Sequence, residues 1–591
     1  MGQRLMFDLE TDGLLPKVSK VHCCVIRDLD DPSEALSFRP HQIRDALKML
    51  WGADEIWGHN IIGYDLPVIY KLYPEIGEYQ GTVRDTLVLS RLCRANLVEE
   101  DANRGWTSDK FPKRLWGSHA LKAWGLRLGN HKGDYDGGWA EFSEEMLDYC
   151  VQDTSVTVSL AKEFSKAGFS EQCIELEHQL AEICLRIGSN GWTLNMEKAT
   201  ALYAKLAQRR GDLEDELNDL FPPWTIETDF MPKVNNSKLG YVKGETFVKS
   251  KTVYFNPASR QHIEKCLRDK YRWKPTKFTP SGQAQIDETI LGKLSYPEAQ
   301  KLAEFFMLQK RIGQLAEGSA AWLKKVDTDG RLRHQLISGG TVSGRASCRS
   351  PNLQAVPKAS APYGRDCREL FTAPKDWWIT GSDLSGIELR LLASYLDDGG
   401  EYARQILEGD IHTFNMKAAG LTTRDQAKTW IYATLYGAGD SLIGKIAGGG
   451  AKRGKKLKQD YDKAVPAFAE LKKKLKAAHG RGYLKGLDGR RLFVRSEHRL
   501  LSQLLQSAGA VVAKKWVQLV DQEINQKHGP DQAFIMGWIH DEIQVACRTK
   551  EIAEDVGDIA GRMAQETGVA LKVKIPIAAE YSVGRTWADT H

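Results

Sequence analysis

Apolar residues form short runs that end in acidic residues at three places along the chain. Residues 4–10 have the pattern of a strand that ends in acids. Residues 377–384 form a longer apolar run that delivers Asp383 at its end, and residues 534–545 predict a hairpin with Asp541 at its tip. The sequence therefore predicts sheets in its N-terminal and C-terminal parts, each with acids at the ends of strands.

Helical periodicity dominates the stretch between these strands. Apolar residues recur at helical spacing over residues 175–220, with a break at Gly191, and more helix is predicted up to Trp322. The Lys-rich segment 221–254 predicts little regular structure. Helices that hold a nucleic-acid duplex and a plain helical scaffold both fit this periodicity.

A distinctive helix is predicted directly after a capping box formed by Thr423 and Gln426. Four residues follow at four-residue intervals and share one slowly turning stripe: Arg424, Lys428, Tyr432 and Tyr436. An Arg fork and a Lys point charge near the positive end of a helix suit the oxygens of a triphosphate, and an aromatic ring further along suits a base or a sugar. A basic surface helix whose aromatic residues pack inward is the alternative.

The composition is that of a globular protein. A chain of 591 residues predicts two or more domains, and 42% hydrophobic with 27% charged residues gives no sign of disorder. The sequence has no run of about 18 apolar residues and no secretory signal, so we expect a cytoplasmic protein that does not enter a membrane. The ten cysteines are scattered without a C-x-x-C pair, which predicts neither a zinc site nor disulfides. The net charge of +5 does not by itself indicate nucleic acid.

Candidate chemistry in the N-terminal part rests on four acids and a tyrosine. Asp8 and Glu10 share one face of a strand, Asp65 follows a predicted strand, and Tyr149 and Asp153 are four apart on a predicted helix. The first two acids alone would be read as solvated. The complete set suits two divalent cations about 3.5–4 Å apart, as phosphodiester hydrolysis requires. Tyr149 is then available to orient the attacking water.

The order of these fragments, D-x-E, N-x-x-G-Y-D and Y-x-x-x-D, resembles the DEDDy exonucleases that proofread for DNA polymerases. The resemblance implies an α/β exonuclease domain of RNase H-like fold over residues 1–168. It also implies that the metal ligands are Asp8, Glu10, Asp65 and Asp153. Residues 121–129 are in addition similar to the replicative polymerases of short-tailed bacteriophages.

Three further fragments resemble motifs A, B and C of the family A DNA polymerases, the DNA polymerase I group. They are D-x-S-x-x-E-L-R from Asp383, R-x-x-x-K-x-x-x-Y-x-x-x-Y-G from Arg424, and H-D-E from His540. The resemblance implies a right-hand polymerase domain over residues 169–591. Its α+β palm is expected at about 331–410 and 480–591, its helical fingers at about 411–479 and its helical thumb at about 190–330.

Individual site residues follow from the same resemblance. Asp383, Asp541 and the backbone of Leu384 would hold two Mg²⁺ ions, and a second pair would lie in the exonuclease site, with Mn²⁺ as a substitute. Nucleotide-binding residues would be Arg424, Lys428, Tyr432, Tyr436, Glu388 and His412, with Glu388 and Tyr432 excluding a ribose 2′-hydroxyl. DNA-binding residues would be Arg345, Gln354, His498, Gln506, His540 and Glu542. Arg345 and Gln506 would sense base-pair geometry in the minor groove, where acceptors recur in every correct pair.

We therefore expect a DNA-directed DNA polymerase with an intrinsic 3′–5′ proofreading exonuclease, acting in phage DNA replication in the host cytoplasm. Its partners would be primer-template DNA, dNTPs and replisome proteins such as a helicase, a primase and a single-strand binding protein. The short segment 221–254 predicts no dependence on thioredoxin, and we expect a monomer.

Two alternatives stay open. One is an exonuclease with an inactive, DNA-binding polymerase-like domain, against which Asp383, Asp541, Arg424 and Lys428 argue. The other is a structural nucleic-acid-binding protein without activity.

Overall fold

The computed structural model describes residues 2–107 and 109–590. These residues form two compact units: one contains the chain up to Thr193 and from Arg333 onward, and the other is Leu194–Leu332. No helix in the described residues is long and apolar enough to cross a membrane. All ten cysteines lie in the described ranges and are free thiols, as the sequence predicted.

A mixed five-stranded sheet lies in the N-terminal part of the first unit. Its strands are β1 (Arg4–Thr11), β2 (Val21–Asp28), β3 (Leu36–Phe38), β4 (Glu55–Gly58) and β5 (Thr82–Asp85), in the order β3-β2-β1-β4-β5. β1 runs antiparallel to β2 and parallel to β4, which is itself parallel to β5. The predicted first strand is confirmed, and the sheet agrees with the expected RNase H-like fold.

Alternation along β1 decides how this part packs. Leu5 and Phe7 are buried on one face of β1, whereas Met6 packs on the other face together with Val156. Asp8 and Glu10 continue the face of Met6, so β1 carries both acids on the side that packs against a long helix. The helices are α1 (Ile43–Trp51), α2 (Asp65–Leu72), α3 (Thr86–Cys93), α4 (Leu97–Asn103), α5 (Leu121–Leu128), α6 (Glu144–Ser165) and α7 (Glu171–Asn190), and β6 (Trp192–Leu194) follows. The long helix that packs against the acid-bearing face of β1 is α6.

A buried group of charges joins α7 to the C-terminal part of the same unit. Glu177 forms ion pairs with Lys514 and, at 2.9 Å, with Arg490, which also pairs with Asp488 at 2.7 Å. All four side chains are buried. Burial alone would raise the pKa of Glu177, but Lys514 and Arg490 hold it at about 2. The carboxylate is therefore charged and depends on these two cations.

We expect Lys514→Met to destabilise the protein by about 3 kcal/mol, because removing one partner leaves a buried charge partly uncompensated. Thermal unfolding of the full chain measures this as a lower midpoint. Lys515→Met is the matched control, since Lys515 is the next residue and is only half-buried. Equal shifts in the two variants would contradict the role assigned to Lys514.

The second unit is mostly helical. Its elements are α8 (Met196–Leu220), β7 (Trp224–Phe230), β8 (Phe247–Val253), α9 (Arg260–Tyr271), α10 (Glu288–Leu291), α11 (Pro297–Ile312), α12 (Trp322–Lys325) and β9 (Arg331–Leu332). Helices α8 and α11 are joined by an ion pair between Arg209 Nε and Glu304 Oε1, which are 2.8 Å apart. The expectation of little regular structure over residues 221–254 is wrong, because β7 and β8 pair as an antiparallel hairpin.

The remainder of the first unit contains a four-stranded antiparallel sheet and many helices. Before that sheet come β10 (Gln335–Ile337), β11 (Ser347–Arg349), α13 (Gly364–Arg368) and β12 (Phe371–Thr372). The later elements are β13 (Trp378–Leu384), α14 (Ile387–Tyr395), α15 (Glu401–Leu407), α16 (Ile411–Ala419), α17 (Arg424–Leu435), α18 (Asp440–Ile446), α19 (Ala451–Ala464), α20 (Pro466–His479), β14 (Leu484–Lys485), β15 (Arg491–Leu492), α21 (Leu500–Lys527), β16 (Ala533–Ile539), β17 (Glu542–Cys547), α22 (Lys550–Ala570) and β18 (Ala579–Gly584).

The order of the four-stranded sheet is β16-β17-β13-β18. The strand predicted at 377–384 and the hairpin predicted at 534–545 are both confirmed. The Thr380 hydroxyl donates to the backbone carbonyl of Ala553 on α22 at 2.6 Å. Because side chains alternate along β13, Asp383 lies on the face away from α22.

The expected domain limits stay predictions. Residue 168 falls between α6 and α7. The second unit, residues 194–332, covers a range close to the one expected for the thumb.

Candidate active sites

Three acids meet at one edge of the N-terminal sheet. One ligand atom each from Asp8, Glu10 and Cys150 lie within 4.8 Å of one another. Asp65 begins α2, is buried, and lies close enough to Asp8 for the charge of Asp8 to act on it. The fold thus brings Asp8, Glu10 and Asp65 together, and adds the thiol of Cys150, which the sequence did not single out.

Negative charge in this cluster is poorly compensated. Burial raises the pKa of Asp8 to about 6. Burial, and then the charge of Asp8, raise the pKa of Glu10 to about 9. The pKa of Asp65 is raised by the same two causes. Carboxylates held this close repel one another unless a cation lies among them, so the cluster suits divalent metal ions.

Lys132 is a residue near the cluster that sequence reasoning missed. Its ammonium group forms an ion pair with Asp153 of α6 and lies 4.4 Å from the centroid of the Tyr149 ring. The charges of Asp8 and Glu10 also act on it. Oδ1 of Asp153 is buried and has no hydrogen-bond partner among the described residues. Asp153 therefore joins the cluster through Lys132, and one of its oxygens is available to a further ligand.

Tyr149 is half-buried in an aromatic group beside these acids. Its ring lies 5.8 Å from that of Tyr135 and 6.2 Å from that of Trp139. Burial, and then the charges of Glu10 and Asp8, raise the pKa of its hydroxyl. A phenol that stays protonated next to carboxylates is suited to hold a water by hydrogen bonding.

A cavity of about 860 Å³ opens at the same sheet edge, where the parallel strands β4 and β5 end. Its lining includes His59, Asn60, Asp85, Arg91, Arg333 and Arg349. The carboxylate of Asp85 accepts hydrogen bonds from the backbone N–H groups of Asn60, Ile62 and Leu87. Asp85, the acid in this lining, already accepts these three hydrogen bonds. The arginines therefore give the lining a basic character that suits a phosphodiester backbone.

The C-terminal sheet brings Asp383 and Asp541 together. Asp383 is exposed near the end of β13, and Asp541 is half-buried in the turn between β16 and β17. Their strands are direct neighbours, and the backbone N–H of Leu384 donates to the carbonyl of Asp541 at 3.1 Å. Burial, and then the charge of Glu388, raise the pKa of Asp541. Two acids from neighbouring strands, one of them insufficiently compensated, again fit divalent cations.

Glu388 lies in a polar group next to these acids. Its carboxylate accepts a 2.8 Å hydrogen bond from the hydroxyl of Tyr436 and forms a 4.0 Å ion pair with Arg345. Burial, and then Glu388 and Asp541, raise the pKa of Tyr432. The expected pair of Glu388 and Tyr432 is thus close in space, although the hydrogen bond is made by Tyr436.

The helix predicted from Arg424, Lys428, Tyr432 and Tyr436, which recur every four residues, is α17. Thr423 caps it by accepting a hydrogen bond from the backbone N–H of Gln426, but the predicted capping box is incomplete because the Gln426 side chain accepts from Thr422 instead. Arg424 donates through Nε to Asp410 at 2.7 Å. Lys428, one turn later, is exposed.

The predicted nucleotide-binding residue His412 lies close to α17. Its ring centroid is 6.4 Å from that of Tyr432. Asp410, which holds Arg424, also caps α16 and so fixes the start of the helix that carries His412. The fold therefore places Arg424, Tyr432 and His412 near the first turn of α16, which Asp410 caps.

The remaining predicted DNA contacts are distributed over several elements. Gln354 is half-buried, with Nε2 3.4 Å from the carbonyl of Trp538 on β16. Gln506 is half-buried on α21, and His498 is exposed in the turn before α21. His540 is exposed at the β16–β17 turn, where its φ is 61°. Partial burial of the His540 ring lowers its pKa, and the charge of the nearby Arg345 lowers it further.

Glu542 corrects one expectation. It was predicted to contact DNA, but its side chain is buried and its carboxylate accepts 2.7 Å hydrogen bonds from Trp587 and Gln544. The C-terminal segment that carries Trp587 covers this residue. Glu542 therefore stabilises the sheet and is not available to DNA.

Comparison with known proteins gives consistent matches. The family model described as DNA polymerase family A matches residues 234–589. The chain is 36% identical to the DNA-directed DNA polymerases of Enterobacteria phage T3 and Escherichia phage T7, in each case over 99% of this chain and 100% of the relative. It is 28% identical to DNA polymerase I of Aquifex aeolicus, over 99% of this chain and 95% of the relative.

A solved structure matches the fold. It is the POL domain of Pol1 from M. smegmatis in complex with DNA primer-template and dNTP, with a TM-score of 0.73 at 16% identity, covering 100% of this chain and 96% of that chain.

Proposed function

Because this chain belongs to DNA polymerase family A and is a DNA-directed DNA polymerase of the phage T3 and T7 type, we propose that Asp383 and Asp541 form its polymerase centre. We propose further that the N-terminal acid cluster is a 3′–5′ proofreading exonuclease. The observation that supports this most is that two separate groups of carboxylates lie at strand ends on two different sheets.

Divalent metal ions are required by family A polymerases in general, and the acids of both centres fit them. We propose two Mg²⁺ ions in each centre, with Mn²⁺ as a substitute. Asp383, Asp541 and the carbonyl of Leu384 would hold one pair; Asp8, Glu10, Asp65 and Asp153 would hold the other. Such ions, when bound, lower the pKa of the attacking hydroxyl or water and neutralise charge that develops on the phosphate.

The helix α17 would bind the incoming dNTP. Arg424 and Lys428 present a fork and a point charge to the triphosphate, and His412 lies beside them. Asp410 holds the Arg424 guanidinium in position before a nucleotide arrives. Glu388 and Tyr432 would crowd the 2′ position of the sugar, and Tyr436 would stack next to the base pair being formed. The hydroxyl of Tyr432 would also stand in for a missing 3′-hydroxyl.

Arg345 and Gln506 would act on the primer-template duplex. Both side chains carry donors that suit the acceptors shared by all correct base pairs in the minor groove. Gln354, His498 and His540 are proposed to contact the same DNA. Glu542 is left out of this group because of its burial.

In the exonuclease centre the basic cavity would receive a single-stranded 3′ end. Arg91, Arg333 and Arg349 would neutralise its phosphates and direct the terminal phosphodiester toward Asp8 and Glu10. Tyr149 would hold the attacking water through its protonated hydroxyl. The ammonium group of Lys132 pairs with Asp153. This ion pair would have to break when a cation binds to Asp153.

The binding partners follow from this assignment. A structural neighbour was solved with DNA primer-template and dNTP, and we propose the same ligands for this chain. Replisome proteins such as a helicase, a primase and a single-strand binding protein, a monomeric state, independence of thioredoxin and action in the host cytoplasm are proposed from the resemblance alone.

Gel-resolved extension of a 5′-labelled primer on a template tests both activities in one assay. With Mg²⁺ and dNTPs we expect extension to the template end, and with Mg²⁺ alone we expect shortening from the 3′ end. EDTA should stop both. Extension without any shortening, also on a primer with a mismatched 3′ terminus, would refute the exonuclease proposal and leave the polymerase assignment intact.

A further inference from the structure

Basic residues are concentrated at the start of α19, in the run K-R-G-K-K-L-K from Lys452 to Lys458. The helix begins after Gly450 without a side-chain cap, and its first turn contains no acid. Positive side chains near the positive end of a helix, with like charges one turn apart, destabilise that helix. The stability of α19 therefore gains nothing from this charge.

Four of the lysines of α19 share its exposed side. Gly454, Leu457 and Tyr461 are buried on the other side, where α19 packs on its neighbours. At 3.6 residues per turn, the exposed side presents lysines over about 16 Å. They are Lys452, Lys455, Lys456 and Lys463, all exposed, and together they form the lysine stripe.

The lysine stripe is not neutralised by the protein. Its four side chains form no ion pair with any other residue that the structure describes, and Asp462, an acid at the side of the stripe, is bound by Lys472 at 2.6 Å. Other lysines of α20 are paired as well, Lys473 with Glu470 at 3.8 Å and Lys476 with Glu497 at 2.9 Å. The contrast between the two adjacent helices indicates that the stripe is kept for an external anion.

Close packing fixes α19 to the end of α17. Gly454 allows α19 to touch α18, because a Cβ atom there would lie 1.9 Å from the backbone carbonyl of Asp440. Lys458 donates to the carbonyl of Ala438 at 2.7 Å and pairs with Asp440 at 2.9 Å. Ala438 comes two residues after Tyr436. The stripe is therefore mounted at the end of α17 that carries Tyr436, opposite its triphosphate-binding end.

We propose that the lysine stripe binds the phosphate backbone of the unpaired template strand ahead of the polymerase centre. Phosphates are present in every sequence, so such a contact suits an enzyme that copies any template. A lysine is a point charge on a flexible stem, which suits phosphates whose positions vary. The location rests on the proposed role of Tyr436 beside the base pair being formed. The stripe would give the enzyme a hold on DNA that is separate from both acid centres.

Binding of a labelled primer-template in EDTA tests the stripe. The variant combines Lys452→Gln, Lys456→Gln and Lys463→Gln. With a template overhang of about 15 nucleotides, we expect its affinity at about 50 mM salt to fall about tenfold or more. The slope of log affinity against log salt concentration should become shallower by about 2, since each phosphate contact on a single strand contributes about 0.7. With an overhang of about one nucleotide, the variant and the unaltered chain should bind within about twofold of each other.

A control variant removes the same number of charges elsewhere. It combines Lys48→Gln on α1, Lys375→Gln before β13 and Lys550→Gln at the start of α22, all at exposed positions. Its affinity for the long overhang should stay within about twofold of normal. The thermal unfolding midpoint of the stripe variant should be equal to or higher than that of the unaltered chain, because like charges at the start of α19 are removed.

Each other outcome overturns the proposal in a different way. Unchanged affinity of the stripe variant at low salt would leave the stripe to an acidic protein. An equal loss on long and short overhangs would assign it to the duplex, and an equal loss in the control variant would reduce the effect to net charge. Because the assay contains no free cations, these results do not depend on whether Asp383 and Asp541 form the polymerase centre. Failure of that assignment would appear instead as normal extension by Asp383→Asn.

Discussion

Asp383→Asn will reduce dNTP addition by about 10³-fold or more while degradation of single-stranded 3′ ends continues. The substitution keeps the size of the side chain but removes the charge that, with Asp541, would hold the cations of the polymerase centre. Stabilisation by such cations is worth several kcal/mol, and about 4 kcal/mol corresponds to about 10³ in rate. Single-turnover extension of a primer by one nucleotide measures the effect.

A matched control is available at the opposite end of the same sheet. Asp531→Asn alters an exposed acid just before β16, and it should extend primers at the normal rate. Binding of primer-template DNA by Asp383→Asn should change little, because contacts with the duplex are assigned to other residues. Normal extension by Asp383→Asn would show that the polymerase centre has been placed on the wrong acid.

The strands that carry the acids were predictable because their signal is local. Residues 4–10, 377–384 and 534–545 combine apolar runs with acids or turns, and each is a strand or hairpin in the structure. Cross-strand pairing then brings Asp383 and Asp541 together without further information.

The residues that were missed reach their sites through tertiary structure. Lys132 lies in a loop 21 residues before Asp153, and its ion pair depends on how that loop folds back on α6. Arg91 lies far before Arg333 and Arg349 in the sequence, and the three side chains line the same cavity only in the folded chain. No periodicity or motif links such positions, so the sequence alone did not reveal them.

Two errors have identifiable physical causes. The hairpin of β7 and β8 was missed because both of its faces are exposed, which removes the alternation that identifies a half-buried strand. Glu542 was assigned to DNA because the fragment H-D-E resembles motif C of the family. Its burial is caused by Trp587, 45 residues later, whose indole N–H donates to its carboxylate.

Asp8→Asn should have the reciprocal effect of Asp383→Asn: degradation of 3′ ends falls by about 10³-fold or more, whereas dNTP addition is retained. Asp8 is central to the cluster, since its charge raises the pKa of both Glu10 and Asp65. Removing that charge lowers the affinity for cations, which leaves the attacking water and the scissile phosphate without electrostatic support. Digestion of a labelled single strand in Mg²⁺ measures the rate.

The same substitution has a second consequence that separates a lost site from a damaged fold. Replacing one of several buried acids relieves repulsion, so the thermal unfolding midpoint of Asp8→Asn in EDTA should be equal to or higher than that of the unaltered chain. Asp45→Asn, at an exposed position of α1, should change neither activity nor midpoint. A lower midpoint together with lost degradation would attribute the defect to folding, and normal degradation would remove Asp8 from the metal ligands.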